Sequence, residues 1–257
     1  MVDKTKLDFA IKKAESVLEG FELEFFKRIW NSDLDKYKKR LQAIGFQNQA
    51  RVLDAGFGNA QWTLCLAEMN KHVEGIEYTE SRVKVGQILK QELAMHNINL
   101  AQGSIDSMPY EDNSFDAIFC YGVIFLTDYR KSLSELYRVL KKGGKLYFTA
   151  NSLGWYIMCI IEEHNKSANY DPRQMAIETI EHSFNYFTKS RPFETGKQLF
   201  VTKAILETLL EDVKFKNWHI KPEGHINIDF SEPFNQSFYK HQKYQGQDFI
   251  FDVMCYK

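Results

Sequence analysis

Cysteine is scarce in this chain. There are four, Cys65, Cys120, Cys159 and Cys255, far apart in sequence. No CxxC pair occurs and no His/Cys spacing suits zinc, which argues against a disulfide framework and a zinc module. Three of the four lie in apolar runs and read as buried thiols. Together with the lack of a signal-peptide pattern, they point to a reducing, cytoplasmic compartment. Long apolar runs are also missing: the longest, Trp155 to Ile161, is too short to span a bilayer. Charge of one sign is not in excess either. The net charge is −1 over 257 residues, so the basic footprint of a protein that grips nucleic-acid phosphates is lacking. What the chain has in surplus is aromatic residues, 14% of the total. Its length suffices for one large or two small domains with a real core.

The most informative stretch is Arg51 to Gln61, RVLDAGFGNAQ. A short apolar strand ends in Asp54, then Gly56 and Gly58 alternate with larger residues before a helix-like run opens near Ala60. Glycines so spaced allow a tight strand-to-helix turn with no Cβ in the way of a ligand. The turn also aims backbone N–H groups from a helix N-terminus at polar or anionic ligand groups. A dinucleotide fingerprint needs glycine at the sixth place of GxGxxG, which here is Gln61, and no GxxxxGK[ST] phosphate loop exists.

From Arg51 onward the pattern alternates strand and helix. Strands are expected at about 50–54, at HVEGIE ending on Glu77, at 98–102, at 115–121 and at KLYFTA from Lys145. Helices are expected at about 60–70, at 79–96 capped by Thr79, and over Leu133, Leu136, Tyr137 and Leu140, stopping at Gly143-Gly144. Such alternation with apolar strands predicts a mostly parallel sheet with helices on both faces. Thr202 opens a last helix, followed by a sixth strand at 215–222 and a return strand at 248–256, antiparallel to it. Glu77 closes the second strand, where an acid can accept both hydroxyls of a ribose.

The form DxGxGxA over Asp54–Ala60 resembles motif I (DxGxGxG) of the class I S-adenosylmethionine-dependent methyltransferases. Three later segments carry the resemblance on to residue 151: Glu77; GSIDSMPYEDNSFDAIFCY, which resembles GDAxxLPFxDxSFD; and LYRVLKKGGKLYF, which resembles LxRVLKPGGxLxx. Ala60 replaces a glycine, Ser104 an aspartate and Lys142 a proline. The resemblance implies a Rossmann-like, seven-stranded sheet with an antiparallel last strand. It also implies S-adenosylmethionine as cofactor, released as S-adenosylhomocysteine. Asp54, Gly56, Phe57, Gly58, Glu77, Tyr78, Ser104, Ile105, Asp106 and Tyr121 are then the expected cofactor residues. Asp106 is expected to take over the adenine contact of the aspartate that Ser104 replaces, and Gly122 to border the methionine end with Tyr121.

Residues 1–49 form an expected helical lid, with Leu18, Phe21 and Phe25 on one face, a helix over Leu34–Ile44, and Trp30 and Tyr37 as wall residues. The domain proper is 50–257, with a helical cap inserted at about 152–200. In that cap Ile177, Ile180, Phe184 and Phe187 mark one face, which places His182 and Tyr186 away from the stripe. Expected acceptor residues are Tyr37, Asn151, His182, Tyr186, His225 and Asn227. The segment Glu223–Gln247 is expected to loop over the active-site face, bringing His225 to the transferred methyl as base or acceptor contact, with Tyr121 beside it. Phe230, Phe234, Phe238, Tyr239 and Tyr244 add an aromatic wall. No metal ligand cluster is found. The acceptor expected is the hydroxyl or amine of a small metabolite, sugar-like or phosphorylated, with no nucleic-acid or membrane partner. An RNA or protein methyltransferase and a cofactor-binding module without catalysis remain open alternatives.

Overall fold

The computed structural model describes residues 4–229 and 235–257. Seven strands form one sheet in the order β3-β2-β1-β4-β5-β9-β6. They are β1 (Arg51–Ala55), β2 (His72–Glu77), β3 (Ile98–Gln102), β4 (Phe115–Cys120), β5 (Leu140–Asn151), β6 (Lys216–Pro222) and β9 (Ile250–Tyr256). A short ribbon, β7 (Lys243–Tyr244) with β8 (Gln247–Asp248), precedes the last strand. The pairs among β1 to β5 are parallel, whereas β9 runs antiparallel between β5 and β6. Strand order reverses between β1 and β4, so the loops after those two strands open a crevice at the carboxyl edge of the sheet.

Burial follows from the sequence pattern. β1 and β4 carry Val52, Leu53, Ala117, Ile118 and Phe119, all fully buried, because helices cover both faces of the sheet. One face holds α4 (Gln61–Met69), α5 (Glu80–Glu92) and the amino-terminal helices; the other holds α6 (Tyr129–Val139) and α9 (Lys203–Val213). All four cysteines are free and buried. Among the described residues no helix is long and apolar enough to cross a membrane.

Several expectations need correction. α6 ends at Val139 rather than at Gly143-Gly144, since Leu140 already pairs with Phe115 before a bulge in β5. The amino-terminal segment makes three helices, α1 (Lys4–Glu15), α2 (Gly20–Trp30) and α3 (Leu34–Ala43). In α2 the buried ring is Phe26; Phe21 and Phe25 are half-buried and stack on each other. The segment expected as a cap holds α7 (Leu153–Glu162) and α8 (Pro172–Thr188), but α8 does not bury its whole apolar stripe. Ile177 and Phe184 are 53% and 54% exposed, while Thr179, His182, Ser183 and Tyr186 are buried. The buried polar groups are satisfied: Ser183 Oγ donates to the Thr179 carbonyl and accepts from Phe200 N–H, and Tyr186 donates to Asp128.

The stretch after β6 also departs from its expected path. Gly224 N–H is held by Asp252, and the chain then descends the sheet face instead of arching over the crevice. Ile226 is fully buried there, and Ile228 N–H donates to the Ala43 carbonyl at the end of α3. The buried Ile226 and the backbone bond of Ile228 to the end of α3 carry Asn227 away from the crevice. The chain is back at Gln236, whose N–H donates to the Gly224 carbonyl. The expected wall residues Phe230 and Phe234 lie outside the described residues.

Candidate functional site

The turn after β1 is held from below. Gly56 and Phe57 N–H both donate to the Ile76 carbonyl, and Gly58 N–H donates to Glu77 Oε2 at 3.0 Å. Glu77 Oε1 accepts Thr79 N–H at 2.9 Å, so this acid is 6% exposed and clamped between the turn after β1 and the loop after its own strand. Gly56 has φ +82°, and a Cβ there would stand 2.4 Å from Val123 Cγ2 on the opposite wall. Only glycine fits so close an approach. Phe57, expected at the cofactor, packs its ring against Gly75 and Gly86 in the core and leaves its backbone to the turn.

Ala60 caps α4 with φ +65°, the left-handed region. A side chain there costs about 1 kcal/mol or more relative to glycine. Ala60→Gly is therefore expected to raise the melting temperature by about 2–4 °C; an unchanged or lower midpoint would show that the strain is absorbed elsewhere.

The crevice shows a place for a polar ligand. Both side-chain amide atoms of Asn59 and the Oε1 of Gln61 are buried without a hydrogen-bond partner in the protein. Buried amides demand partners, and these sit beside the glycine turn at the N-terminus of α4. Asp54 lies beneath, 2% exposed, accepting from Thr63 Oγ1 at 2.7 Å. Burial lifts its carboxyl to about 7, opposed by the Thr63 bond and reinforced by the charge of Glu77. Tyr78, next to Glu77, is 69% exposed and presents its ring at the edge of the crevice. The adenine-side segment is tied down: Ser104 Oγ accepts Asp106 N–H at 3.1 Å, Ile105 is buried, and Ser132 Oγ donates to the Asp106 carboxylate. Asp106 thus braces α6, which leaves less of it for an adenine.

The other wall is aromatic. Tyr121 follows β4, and Gly122 N–H is fixed by Thr149 Oγ1 at 2.7 Å. Trp62 lies 5.0 Å from Tyr121, 4.6 Å from Tyr37 and 5.6 Å from Phe238, ring to ring. α2 reaches this region at both ends. Trp30 Nε1 donates to the Asn59 carbonyl at 3.2 Å, and Phe21 packs 5.9 Å from Tyr170 beside the cap.

The remaining expected acceptor residues are occupied. His225 Nδ1 bonds the Glu223 carbonyl at 3.1 Å and Nε2 bonds the Gln242 amide at 2.9 Å. A carbonyl can only accept, so Nδ1 carries the proton and Nε2 accepts a hydrogen bond from the Gln242 amide. That leaves no ring nitrogen for a methyl acceptor. His182 Nε2 accepts Glu194 N–H at 3.4 Å, Tyr186 holds the N-cap Asp128 of α6, and Asn151 braces Tyr156. Sequence reasoning missed Arg40, Glu223 and Asp252, which form a buried ionic cluster behind Tyr121.

Comparison with known proteins follows this geometry. A family model described as a methyltransferase domain matches residues 53–148, the span from β1 through most of β5. Over that segment the chain is similar to methyltransferase domains. A demethylmenaquinone methyltransferase of Listeria welshimeri is 36% identical over 113 residues, 42% of this chain and 48% of that protein. The chain thus spans about half the length of the curated relatives it matches. Two solved structures resemble the whole methyltransferase fold at low identity. A geranyl diphosphate methyltransferase in complex with the cofactor has a TM-score of 0.56 at 11% identity, covering 93% of this chain and 90% of that one. A possible histamine N-methyltransferase from Thermotoga maritima has a TM-score of 0.52 at 18% identity, covering 86% and 89%. In this segment the unpartnered amides of Asn59 and Gln61, the clamped Glu77 and the bare Gly56 fit an S-adenosylmethionine molecule laid across the turn.

Proposed function

We propose that the protein transfers a methyl group from S-adenosylmethionine to a hydroxyl or amine of a small molecule. Glu77 would hold the ribose hydroxyls, Tyr78 and Ile105 would flank the adenine, and Asn59, Gln61 and the glycine turn would take the amino-acid end. The cofactor supplies an electrophilic methyl on a sulfonium. The chain contributes positioning and exclusion of water, the larger part of what such a displacement needs. The observation that carries the small-molecule reading is the wall of Trp62, Tyr37, Tyr121 and Phe238, roofed by α2 and flanked by the α7–α8 cap. Aromatic walls with few polar groups suit a compact acceptor with a flat or apolar body, more than the sugar-like or phosphorylated metabolite expected from sequence.

Tyr37, Phe238 and the cap lie outside the matched span 53–148, so the relatives' names do not select the acceptor. A screen with methyl-labelled cofactor against phenols, primary amines, sugars and bulk RNA tests the reading. Label is expected in a phenol or amine of low molecular mass. Label in RNA or protein alone would overturn it.

A further inference from the structure

Behind the crevice lies a cluster that the cofactor site does not use. Arg40 of α3 is fully buried, with Nη2 2.5 Å from Asp252 on β9, 2.7 Å from Tyr147 Oη on β5 and 3.4 Å from Glu223 at the end of β6. Tyr147 Oη donates to Asp252 Oδ1 at 2.6 Å, and Gly224 N–H donates to Asp252 Oδ2 at 2.9 Å. Glu223 is 4% exposed; its Oε2 accepts from Ser237 Oγ and from Phe238 N–H, and its Oε1 accepts Tyr121 Oη–H at 3.0 Å. Tyr239, from the same returning loop, lies against Tyr121.

The charge count is uneven. One guanidinium faces two carboxylates away from water, and no other cationic side chain joins the hydrogen bonds of the cluster among the described residues. A buried surplus carboxylate is costly and is relieved by taking up one proton, which the group then holds as a unit. Burial raises the Asp252 carboxyl against the pull of Arg40, in keeping with this count. The cluster also has an outlet. Tyr121 ends the β4 wall among Trp62 and Phe238, so its hydroxyl joins the crevice to Glu223. Burial and the charge of Glu223 hold the Tyr121 phenol well above 10, so Tyr121 does not keep an acceptor's proton by losing its own to water. It can only pass one along.

We propose that this cluster is the proton sink of methyl transfer, with Tyr121 as the catalytic contact and Glu223 as the receiving carboxylate. The acceptor's proton goes to Tyr121 Oη while the Tyr121 proton goes to Glu223 Oε1. The methyl-to-sulfur bond breaks as the bond to the acceptor oxygen or nitrogen forms. The proton leaves the cluster to solvent after product release. The inference rests on the methyl-transfer reading above and replaces His225, whose ring nitrogens are both engaged, as the base.

Two measurements decide it. In the cofactor-free protein labelled with 13C at Asp carboxyl carbons, the wild type is expected to show one Asp carboxyl titrating above the ordinary aspartate range, and Asp252→Asn to lose that step. In the second, wild type and Tyr121→Phe are given labelled cofactor with the panel of phenols and amines. Tyr121→Phe keeps the ring contacts and should fold, its melting temperature lowered only by the loss of one hydrogen bond to a buried carboxylate. Its kcat near pH 7 should fall at least about 100-fold, the low end for a general base, and should recover as pH rises and the acceptor ionises unaided. Two results would overturn the proposal. One is a wild type whose Asp252 carboxyl titrates in the ordinary aspartate range; the other is a Tyr121→Phe rate and pH profile like those of wild type. Failure of S-adenosylhomocysteine to bind the wild type would instead remove the reading on which it rests.

Discussion

Gly56→Val is expected to abolish S-adenosylhomocysteine binding in practical terms, with a loss of at least about 100-fold in affinity. Two costs act together. Valine must adopt φ +82°, a backbone region that costs about 1–3 kcal/mol for a non-glycine residue. Its Cβ must also occupy space 2.4 Å from Val123 Cγ2, so either the glycine turn or the loop after β4 has to withdraw. Both line the crevice, and either shift spoils the approach of ligand to backbone. The turn would also loosen its bonds from Gly56 and Phe57 to the Ile76 carbonyl. Calorimetry with S-adenosylhomocysteine checks this, with circular dichroism to show that the variant folds. A dissociation constant within tenfold of wild type would mean that the ligand lies elsewhere.

The second large effect is on stability. Arg40→Met removes the guanidinium from the buried cluster and leaves Asp252, fully buried, and Glu223, 4% exposed, without their shared cation. Breaking a buried ion pair by removing one partner costs about 3–5 kcal/mol, of order 10 °C in melting temperature for a chain of this size. The pH dependence has a definite sign. Without Arg40, which opposes the upward push of burial, the Asp252 carboxyl rises further above its unfolded value, so the folded state binds more protons than the unfolded. Stability then falls as pH rises through that raised range and is greatest below it. Thermal melts should accordingly show Arg40→Met closer to wild type in mild acid than above neutrality. Equal destabilisation at every pH would indicate lost packing of the Arg40 stem alone.

The two halves of the chain were unequally legible in sequence. From β1 to β3 the apolar runs are short, end on an acid or a glycine, and alternate with helices, so local pattern and tertiary burial agree. HVEGIE and INLAQ were located to the residue. Glu77 and the glycine turn stood out because one backbone conformation and one acid define them. α8 misled because its periodicity names the wrong face. Ile177 and Phe184 stay exposed, while Ser183, His182 and Tyr186 go inward to partners on Phe200, Glu194 and Asp128, none of which a helical wheel contains. Arg40 was illegible for a related reason: it bonds Asp252 across 212 residues of sequence, and a lone arginine among lysines in α3 reads as solvated surface. His225 drew attention as a residue type suited to proton transfer, yet the burial of Ile226 and the bond from Ile228 N–H to the Ala43 carbonyl take the chain down the sheet face. Chemistry of residue type is visible in sequence; which groups meet is set by the long-range fold.

The most direct test of the central claim is equilibrium binding of S-adenosylhomocysteine to the wild type and Glu77→Ala, with a nicotinamide dinucleotide as control. The account predicts one site per chain and no heat with the dinucleotide. For Glu77→Ala it predicts affinity weaker by about 10- to 100-fold, the loss expected when charge-assisted bonds to two hydroxyls disappear. Binding of the dinucleotide in place of S-adenosylhomocysteine, or an unchanged dissociation constant for Glu77→Ala, would contradict it.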